Sequence, residues 1–148
     1  MIIIFSFSAR TSVESTNDSM TIGMTIGKYF VSGFTEMSAD EQYAIAEKME
    51  FPIRKSAHGL EYAMLGFLLT GAFYTCTWKK KNFFYPWILA VVYASSDEFH
   101  QLFVPGRSGQ IRDVCIDAAG ALVGVVIGIL VWGKMLMPNS ICYKDSIR

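Results

Sequence analysis

The stretch from Ile111 to Trp132, IRDVCIDAAGALVGVVIGILVW, decides the fold class of this 148-residue chain. Its ionisable residues, Arg112, Asp113 and Asp117, lie together at the start, and residues 118–132 contain none. A soluble core helix normally carries a polar stripe along its whole length, whereas these charges concentrate at one end. At 1.5 Å per residue, the stretch is long enough to cross about 30 Å of hydrocarbon. The sequence therefore predicts a transmembrane helix.

Two other apolar stretches have a comparable length. Ser56 to Thr77 is interrupted by His58 and Glu61, and Phe83 to Val104 carries its charged residues only after Ala94. Hydrophobic residues make up 52% of the chain and charged residues 18%, which suits a membrane protein when the charges are clustered. We therefore predict an all-α fold, a polytopic transmembrane helical bundle with three full spans, a truncated N-terminal span and short amphipathic external helices.

The predicted organisation has four parts. Residues 1–8, MIIIFSFS, are apolar but too few to cross a bilayer, and we interpret them as the remnant of an N-terminal transmembrane helix. Residues 9–55 are mixed in charge and are predicted to be an external segment with amphipathic helices. Residues 56–133 form the transmembrane core, and residues 134–148 form a cytoplasmic tail.

The external segment contains one weak helical pattern. Five apolar residues recur there at helical spacing: Ile22, Ile26, Tyr29, Phe30 and Phe34. Glycines within the same stretch weaken the predicted helix. The segment is interpreted as an interfacial helix or as a loop packed on the bundle.

A second helix in the external segment is better marked. Ser38 and Glu41 form an S-x-x-E capping box, which predicts a helix start. The same helix is predicted to end near Glu50, because Pro52 follows and proline disfavours a helix interior.

Lysines and arginines predict the orientation. The triplet Lys79 to Lys81 connects the first two spans, and Lys134, Lys144 and Arg148 follow the last one. Short loops rich in these residues stay in the cytoplasm. The external segment and the turn after Val104 are then expected outside, so the polar ends of all three spans are expected at the external face.

The polar ends of the spans define the candidate functional cluster. It comprises His58, Glu61, Tyr62, Asp97, Glu98, His100, Gln101, Arg107, Arg112, Asp113 and Asp117. Ionisable groups at membrane depth cost a few kcal/mol each unless they are paired or hydrated. Both histidines of the chain lie in the cluster, which favours a ligand-binding site. A salt-bridge network that only joins the helices is the alternative. Histidines and carboxylates can also bind metals, but no HExxH-like spacing occurs, so no metal site is predicted.

The turn between the last two spans contributes to this cluster. Pro105 and Gly106 suit the central positions of a type II turn that ends at Arg107. The guanidinium could bind phosphate or carboxylate, or it could pair with Asp97 or Asp113, and the sequence leaves both open.

A stripe of small residues is predicted to pack the last span. Gly120, Gly124 and Gly128 form two overlapping G-x-x-x-G steps, which let a neighbouring helix approach closely. Asp117 lies on the same face and should point into the bundle, whereas Val125 is expected on a neighbouring face.

Two segments resemble a known family. KSAHGLEY (Lys55 to Tyr62) and DEFHQLFVPGRSGQIRDVCIDAAG (Asp97 to Gly120) are similar to the VanZ-like membrane proteins. The resemblance runs from about Ile3 to Trp132, and FSFSARTSVES (Phe5 to Ser15) looks like the end of the family's first span. The family's namesake is associated with resistance to the glycopeptide teicoplanin. The resemblance implies a multi-pass protein of the bacterial cell membrane.

The expected function is that of a VanZ-like envelope protein. It would bind a lipid-linked envelope intermediate or an amphiphilic antibiotic at the outward-facing cluster and influence teicoplanin susceptibility. The alternative is an intramembrane enzyme that acts on a lipid or phosphate ester, with His58 or His100 as the acid–base residue. A small transporter that uses its buried acids as a proton relay is a third hypothesis.

The remaining expectations concern partners and cofactors. The net charge is zero, so no nucleic acid partner is expected. The lipid bilayer is the expected environment, no cofactor is predicted, the catalytic residues are unknown, and a homo-oligomer is left open. No G-x-S-x-G nucleophile motif occurs, which disfavours a serine hydrolase.

Overall fold

The computed structural model describes Ile4 and residues 9–76, 84–107 and 109–136. Most of the predicted N-terminal remnant (1–8), the lysine triplet and residues 137–148 of the predicted cytoplasmic tail lie outside the described residues. Predictions about these segments stay predictions.

The described residues are helical and contain no strand. The helices are α1 (Ser12–Phe30), α2 (Ala39–Cys76), α3 (Phe84–Gln101) and α4 (Ile111–Leu136), with a short 3-10 helix, Phe34–Glu36, between α1 and α2. The predicted all-α class is confirmed.

The chain divides into two compact units. Unit 1 consists of Met1–His58 and Ser96–Asp113, and unit 2 consists of Gly59–Ser95 and Val114–Arg148. The first half of α2 and the end of α3 belong to unit 1, and the remainder of both helices belongs to unit 2.

Helix α1 begins at a capping box that the sequence analysis did not predict. The Glu14 N–H donates to the Thr11 hydroxyl at 3.3 Å, and the Thr11 N–H donates to the Glu14 carboxylate at 2.9 Å. These reciprocal bonds satisfy two N–H groups that the first helical turn leaves without a helical partner. They place the helix start ten residues before Ile22, the first residue of the predicted pattern.

Glycines, and not the aromatic residues, form the packing face of α1. Gly23 and Gly27 are buried, whereas Tyr29 and Phe30 are 82% and 83% exposed. A Cβ at Gly27 would collide with the Phe34 ring, which is almost fully buried. The predicted apolar face is therefore wrong for Ile22, Tyr29 and Phe30, because the absence of a side chain at the glycines permits the close approach on a different face.

Helix α2 confirms the predicted start and corrects the predicted end. The Ser38 N–H donates to the Glu41 carboxylate at 2.9 Å, as the capping box requires. The helix continues through Pro52 to Cys76, so the predicted end near Glu50 is wrong. An interior proline costs about 3 kcal/mol or more. The ion pair of Lys55, one helical turn beyond Pro52, is one contact that offsets this cost.

In unit 2, the glycine stripe of α4 packs against the second half of α2. A Cβ at Gly120 would collide with the carbonyl of Gly59, and one at Gly124 would collide with the carbonyl of Ala63. The predicted close approach is confirmed. Val125, which was predicted on a neighbouring face, is fully buried, so that face of α4 is packed as well.

Helix α3 completes unit 2. The Trp87 indole N–H donates to the carbonyl of Ala118 on α4 at 2.9 Å. The rings of Tyr62 and Tyr93 lie 6.2 Å apart, and those of Phe73 and Tyr85 lie 6.4 Å apart. The order of these pairs makes α2 and α3 antiparallel within the unit.

One described helix is long and apolar enough to cross a membrane. It comprises residues Ile111–Met135 of α4. The predicted spans 56–77 and 83–104 are not confirmed, since Asp97 and Glu98 lower the hydropathy of the 18-residue α3. Both spans also reach into residues 77–83, which are outside the described part of the chain. The three-span arrangement stays a prediction.

Candidate functional site

Unit 1 contains a polar cavity of about 120 Å³. The volume is sufficient for several water molecules or one compact polar group. The residues that line it come from the start of α1, the middle of α2, the end of α3, the turn that follows and the start of α4. They are Ser12, Phe51, Arg54, Lys55, His58, Gln101, Gly106, Arg107, Gln110, Arg112 and Asp113.

The turn after α3 brings Arg107 to this cavity. The Arg107 N–H donates to the Val104 carbonyl at 3.1 Å, and Gly106 has a φ of +76°. A positive φ at the third position, after Pro105 at the second, is the conformation of a type II turn. The predicted turn is confirmed, and glycine is required because an L side chain is strained at this φ.

Asp113 is held by Lys55. Their side chains form an ion pair and are 13% and 16% exposed, respectively. The other carboxylate oxygen of Asp113, Oδ1, is buried and accepts no hydrogen bond from the described residues. Asp97 and Asp113 were the two predicted ion-pair partners of Arg107. Asp113 pairs with Lys55 of α2 instead.

Arg54 is the second cation of α2 at the cavity. It forms an ion pair with Glu50 at 3.0 Å, and Glu50 also accepts a hydrogen bond from the Thr16 hydroxyl at 3.3 Å. Arg54 is not among the predicted residues of the cluster. Its position four residues before His58, one helical turn away on the same face, is the signal that could have identified it.

Arg107 is half-buried and has no carboxylate within ion-pair distance among the described residues. Burial lowers the pKa of its guanidinium, and the positive charge of Arg54 lowers it further. Asp97, Glu98 and Asp113 act in the opposite direction. An arginine nevertheless stays protonated, so its charge remains in the cavity wall.

Arg112 supplies a further cation at the start of α4. Its guanidinium lies 5.1 Å from the centre of the Phe51 ring, and one of its nitrogens donates to the Gln110 side-chain oxygen at 3.4 Å. This distance is that of a cation–π contact, and the Arg112 side chain is otherwise exposed. Arg112 forms no ion pair with a described carboxylate.

The lining of the cavity therefore carries more cations than carboxylates. It carries Arg54, Lys55, Arg107 and Arg112 against the single carboxylate of Asp113. We name the cavity with these five residues the cationic pocket. Such a pocket attracts an anion, because fixed positive charges are costly in a partly buried site unless a negative charge compensates them.

The acids of α3 have structural partners and lie outside the lining of the cationic pocket. Glu98 is buried and accepts the backbone N–H of Gln110 at 2.9 Å. Asp97 is buried and accepts the Gln101 side-chain amide at 3.4 Å through one carboxylate oxygen. Its second oxygen has no hydrogen-bond partner among the described residues. Glu98 thus connects the end of α3 to the residue before α4, whereas the Asp97–Gln101 contact lies within α3.

The two histidines are placed differently. His58 lines the cavity, and its buried Nδ1 atom has no hydrogen-bond partner among the described residues. His100 belongs to unit 1 and is partly buried, but it does not line this cavity. Among the described residues, no group of three or more His, Cys, Asp or Glu could hold a metal ion.

The comparison with known protein families covers the residues of the cationic pocket. A family model described as VanZ/LLP1 matches residues 1–132, which include every residue of the cationic pocket. The chain belongs to the VanZ/LLP1 family. The resemblance that the two quoted motifs indicated is thereby confirmed, and membership supports a link to glycopeptide resistance. No curated protein and no solved structure matches the chain.

The VanZ/LLP1 match also covers three predicted cluster residues that belong to unit 2: Glu61, Tyr62 and Asp117. Tyr62 and Asp117 are almost fully buried in that unit. Glu61 lines an apolar groove there together with Leu60 and Phe67. The structure places the other eight predicted residues in unit 1, and convergence of all eleven on one ligand stays a prediction.

Proposed function

We propose that this VanZ/LLP1-family chain is a bacterial cell-envelope membrane protein that binds the anionic head group of a lipid-linked or amphiphilic molecule. The head group would occupy the cationic pocket of unit 1, and the binding would influence susceptibility to teicoplanin. The observation that carries the proposal is the charge of the cavity wall, with four cations and one carboxylate.

The surface of unit 2 supports a membrane environment. Its described residues include only three charged side chains, Glu61, Asp117 and Lys134. Large apolar side chains are exposed on all three of its helices, including Leu60, Met64, Leu68, Ile88, Val92, Val123, Ile127 and Leu130. Soluble monomers rarely expose so much contiguous apolar surface. Lipid tails would cover these side chains without cost, since both are apolar.

The arrangement of charges supports an anionic ligand. Arg54 and Arg107 disfavour each other's charge, because the positive charge of Arg54 lowers the pKa of Arg107. An anion in the cavity would relieve this repulsion and would accept hydrogen bonds from the guanidinium of Arg107. The ligand's apolar part would remain in the bilayer, where its burial contributes about 0.8 kcal/mol per CH₂ group.

The effect on teicoplanin follows from the family and from this binding. An envelope protein that holds an anionic head group changes how much of that molecule is accessible at the membrane surface. Teicoplanin is itself amphiphilic, so the ligand is either the antibiotic or an envelope lipid near which it acts. Family membership supports the connection to glycopeptides, and the cations of the pocket support binding of an anionic head group.

A second candidate function is supported by His58. The imidazole lines the same cavity as Arg107 and Arg112, so a bound phosphate ester would lie beside an acid–base group. The chain would then hydrolyse a lipid or phosphate ester. His58→Gln would abolish release of phosphate in this case but would leave binding of the ester nearly unchanged.

The proposal can be tested in a teicoplanin-susceptible bacterium that expresses the full chain. Arg107→Gln and Arg112→Gln should each lose most of the tolerance that the wild-type chain confers. Lys48→Gln is the matched control, because Lys48 is an exposed cation of α2 outside the cavity lining. The proposal is wrong if both pocket variants, present at wild-type levels in the membrane, retain full tolerance.

A further inference from the structure

The charge that remains uncompensated in the cationic pocket can be counted from its ion pairs. Asp113 forms an ion pair with Lys55, and Glu50 forms one with Arg54 at 3.0 Å. Arg107 and Arg112 have no carboxylate within 4.0 Å among the described residues. The pocket therefore presents two guanidinium groups without an ion pair to a ligand, while the carboxylates of Asp97, Glu98 and Asp113 act on Arg107 from a longer distance.

We infer that the cationic pocket recognises a terminal phosphate, as a phosphate monoester or a pyrophosphate, in preference to a carboxylate or a phosphodiester. A phosphate monoester carries about −1.5 to −2 charges at pH 7. A carboxylate or a phosphodiester carries one negative charge and would leave one guanidinium uncompensated. The inference rests on the proposed function and specifies the chemical class of its ligand.

The geometry of the two arginines favours the same class. A guanidinium donates two parallel hydrogen bonds to phosphate oxygens, and a terminal phosphate has three oxygens to share between two such groups. Arg112 already contacts the Phe51 ring, and any ordering by this contact lowers the conformational entropy lost when it binds. The cavity of about 120 Å³ suits a compact polar group of this kind.

The Asp113 carboxylate disfavours the binding of anions that carry only one negative charge. Its carboxylate already holds Lys55 and lines the cavity, so any ligand must tolerate a nearby negative charge. A singly charged ligand competes for Lys55 on equal terms with Asp113. A doubly charged phosphate interacts more strongly with every cation that lines the cavity. Its affinity should therefore exceed that of a carboxylate by a larger factor.

The test uses the purified full chain in a neutral detergent. Phosphatidic acid and phosphatidylglycerol with identical acyl chains are titrated separately, because the first carries a phosphate monoester and the second a phosphodiester. Phosphatidic acid should bind about tenfold more tightly, which corresponds to about 1.4 kcal/mol. Inorganic phosphate should compete with phosphatidic acid, and acetate at the same ionic strength should not.

Variants test whether the cationic pocket causes the preference for phosphatidic acid over phosphatidylglycerol. Arg107→Gln and Arg112→Gln should each reduce the affinity for phosphatidic acid to that for phosphatidylglycerol, whereas Lys48→Gln should retain the tenfold difference. Helical content by circular dichroism identifies any variant that fails to fold. Arg107→Lys then serves as the second variant, because it keeps the charge without the two-pronged donor and should retain only part of the preference.

The outcomes separate the inference from the proposed function. Equal affinity for the two lipids, or competition by acetate, would overturn the inference and leave an anion-binding pocket. Binding of none of these probes would overturn the proposed function itself. If inorganic phosphate binds as tightly as phosphatidic acid, a free phosphate compound is the ligand source. If it binds much more weakly, the source is a phosphorylated lipid.

Discussion

Removing one partner of the Lys55–Asp113 ion pair should strongly destabilise unit 1. Both side chains are largely buried, with 16% and 13% exposed, and they join α2 to the start of α4 across 58 residues of sequence. Lys55→Met removes the cation and leaves the buried Asp113 carboxylate without its ion-pair partner. Breaking a buried pair in this way costs about 3–5 kcal/mol. Because each side chain keeps some contact with solvent, we expect the lower end of this range, about 3 kcal/mol.

The assay is chemical unfolding of the purified chain in detergent, followed by circular dichroism. The double variant Lys55→Met/Asp113→Leu should recover most of the loss, since apolar residues of similar volume often replace a buried pair at little cost. Arg10→Met is the matched control, because the Arg10–Asp18 pair is 39% and 49% exposed and should contribute about 1 kcal/mol or less. If Lys55→Met costs no more than Arg10→Met, or if the double variant recovers nothing, the burial argument is refuted.

Two further predictions concern packing and topology. Gly124→Leu should lower the melting temperature by roughly 2–10 °C, because an overpacked core costs about 1–3 kcal/mol and the carbonyl of Ala63 leaves no space for a side chain. Val126→Leu, on an exposed face, should have little effect, and equal melting temperatures would contradict the close approach. In a cysteine-free background, Thr35→Cys should react with a membrane-impermeant reagent in intact cells and Lys134→Cys should not. Equal labelling would contradict the predicted orientation.

Local signals in the sequence predicted local features of the fold. The stripe of Gly120, Gly124 and Gly128 indicated which face of α4 packs closely, because a helical face follows directly from residue spacing. Pro105 and Gly106 indicated the turn, because its backbone angles depend on those two residues alone. The position of Asp117 on the packing face predicted its burial.

Features that depend on distant contacts could not be predicted. Pro52 indicated a helix end, but contacts of the following residues with other elements keep α2 continuous. The partner of Lys55 lies 58 residues away, and no local pattern indicates that Asp113 pairs with it and leaves Arg107 without an ion pair. The candidate residues were identified largely from their type and position. The charge balance of the pocket required the structure, because it depends on which pairs form.

The cationic pocket is expected to hold an anionic lipid head group in the membrane. Native mass spectrometry of the full chain, extracted from bacterial membranes in a mild detergent, tests this claim most directly. The wild-type chain and Lys48→Gln should retain a lipid whose mass and fragmentation identify a phosphorylated head group. Arg107→Gln should lose that adduct while it keeps the wild-type helical content. A wild-type chain without any anionic lipid adduct, or an Arg107→Gln variant that retains the same adduct in the same proportion, would contradict the claim.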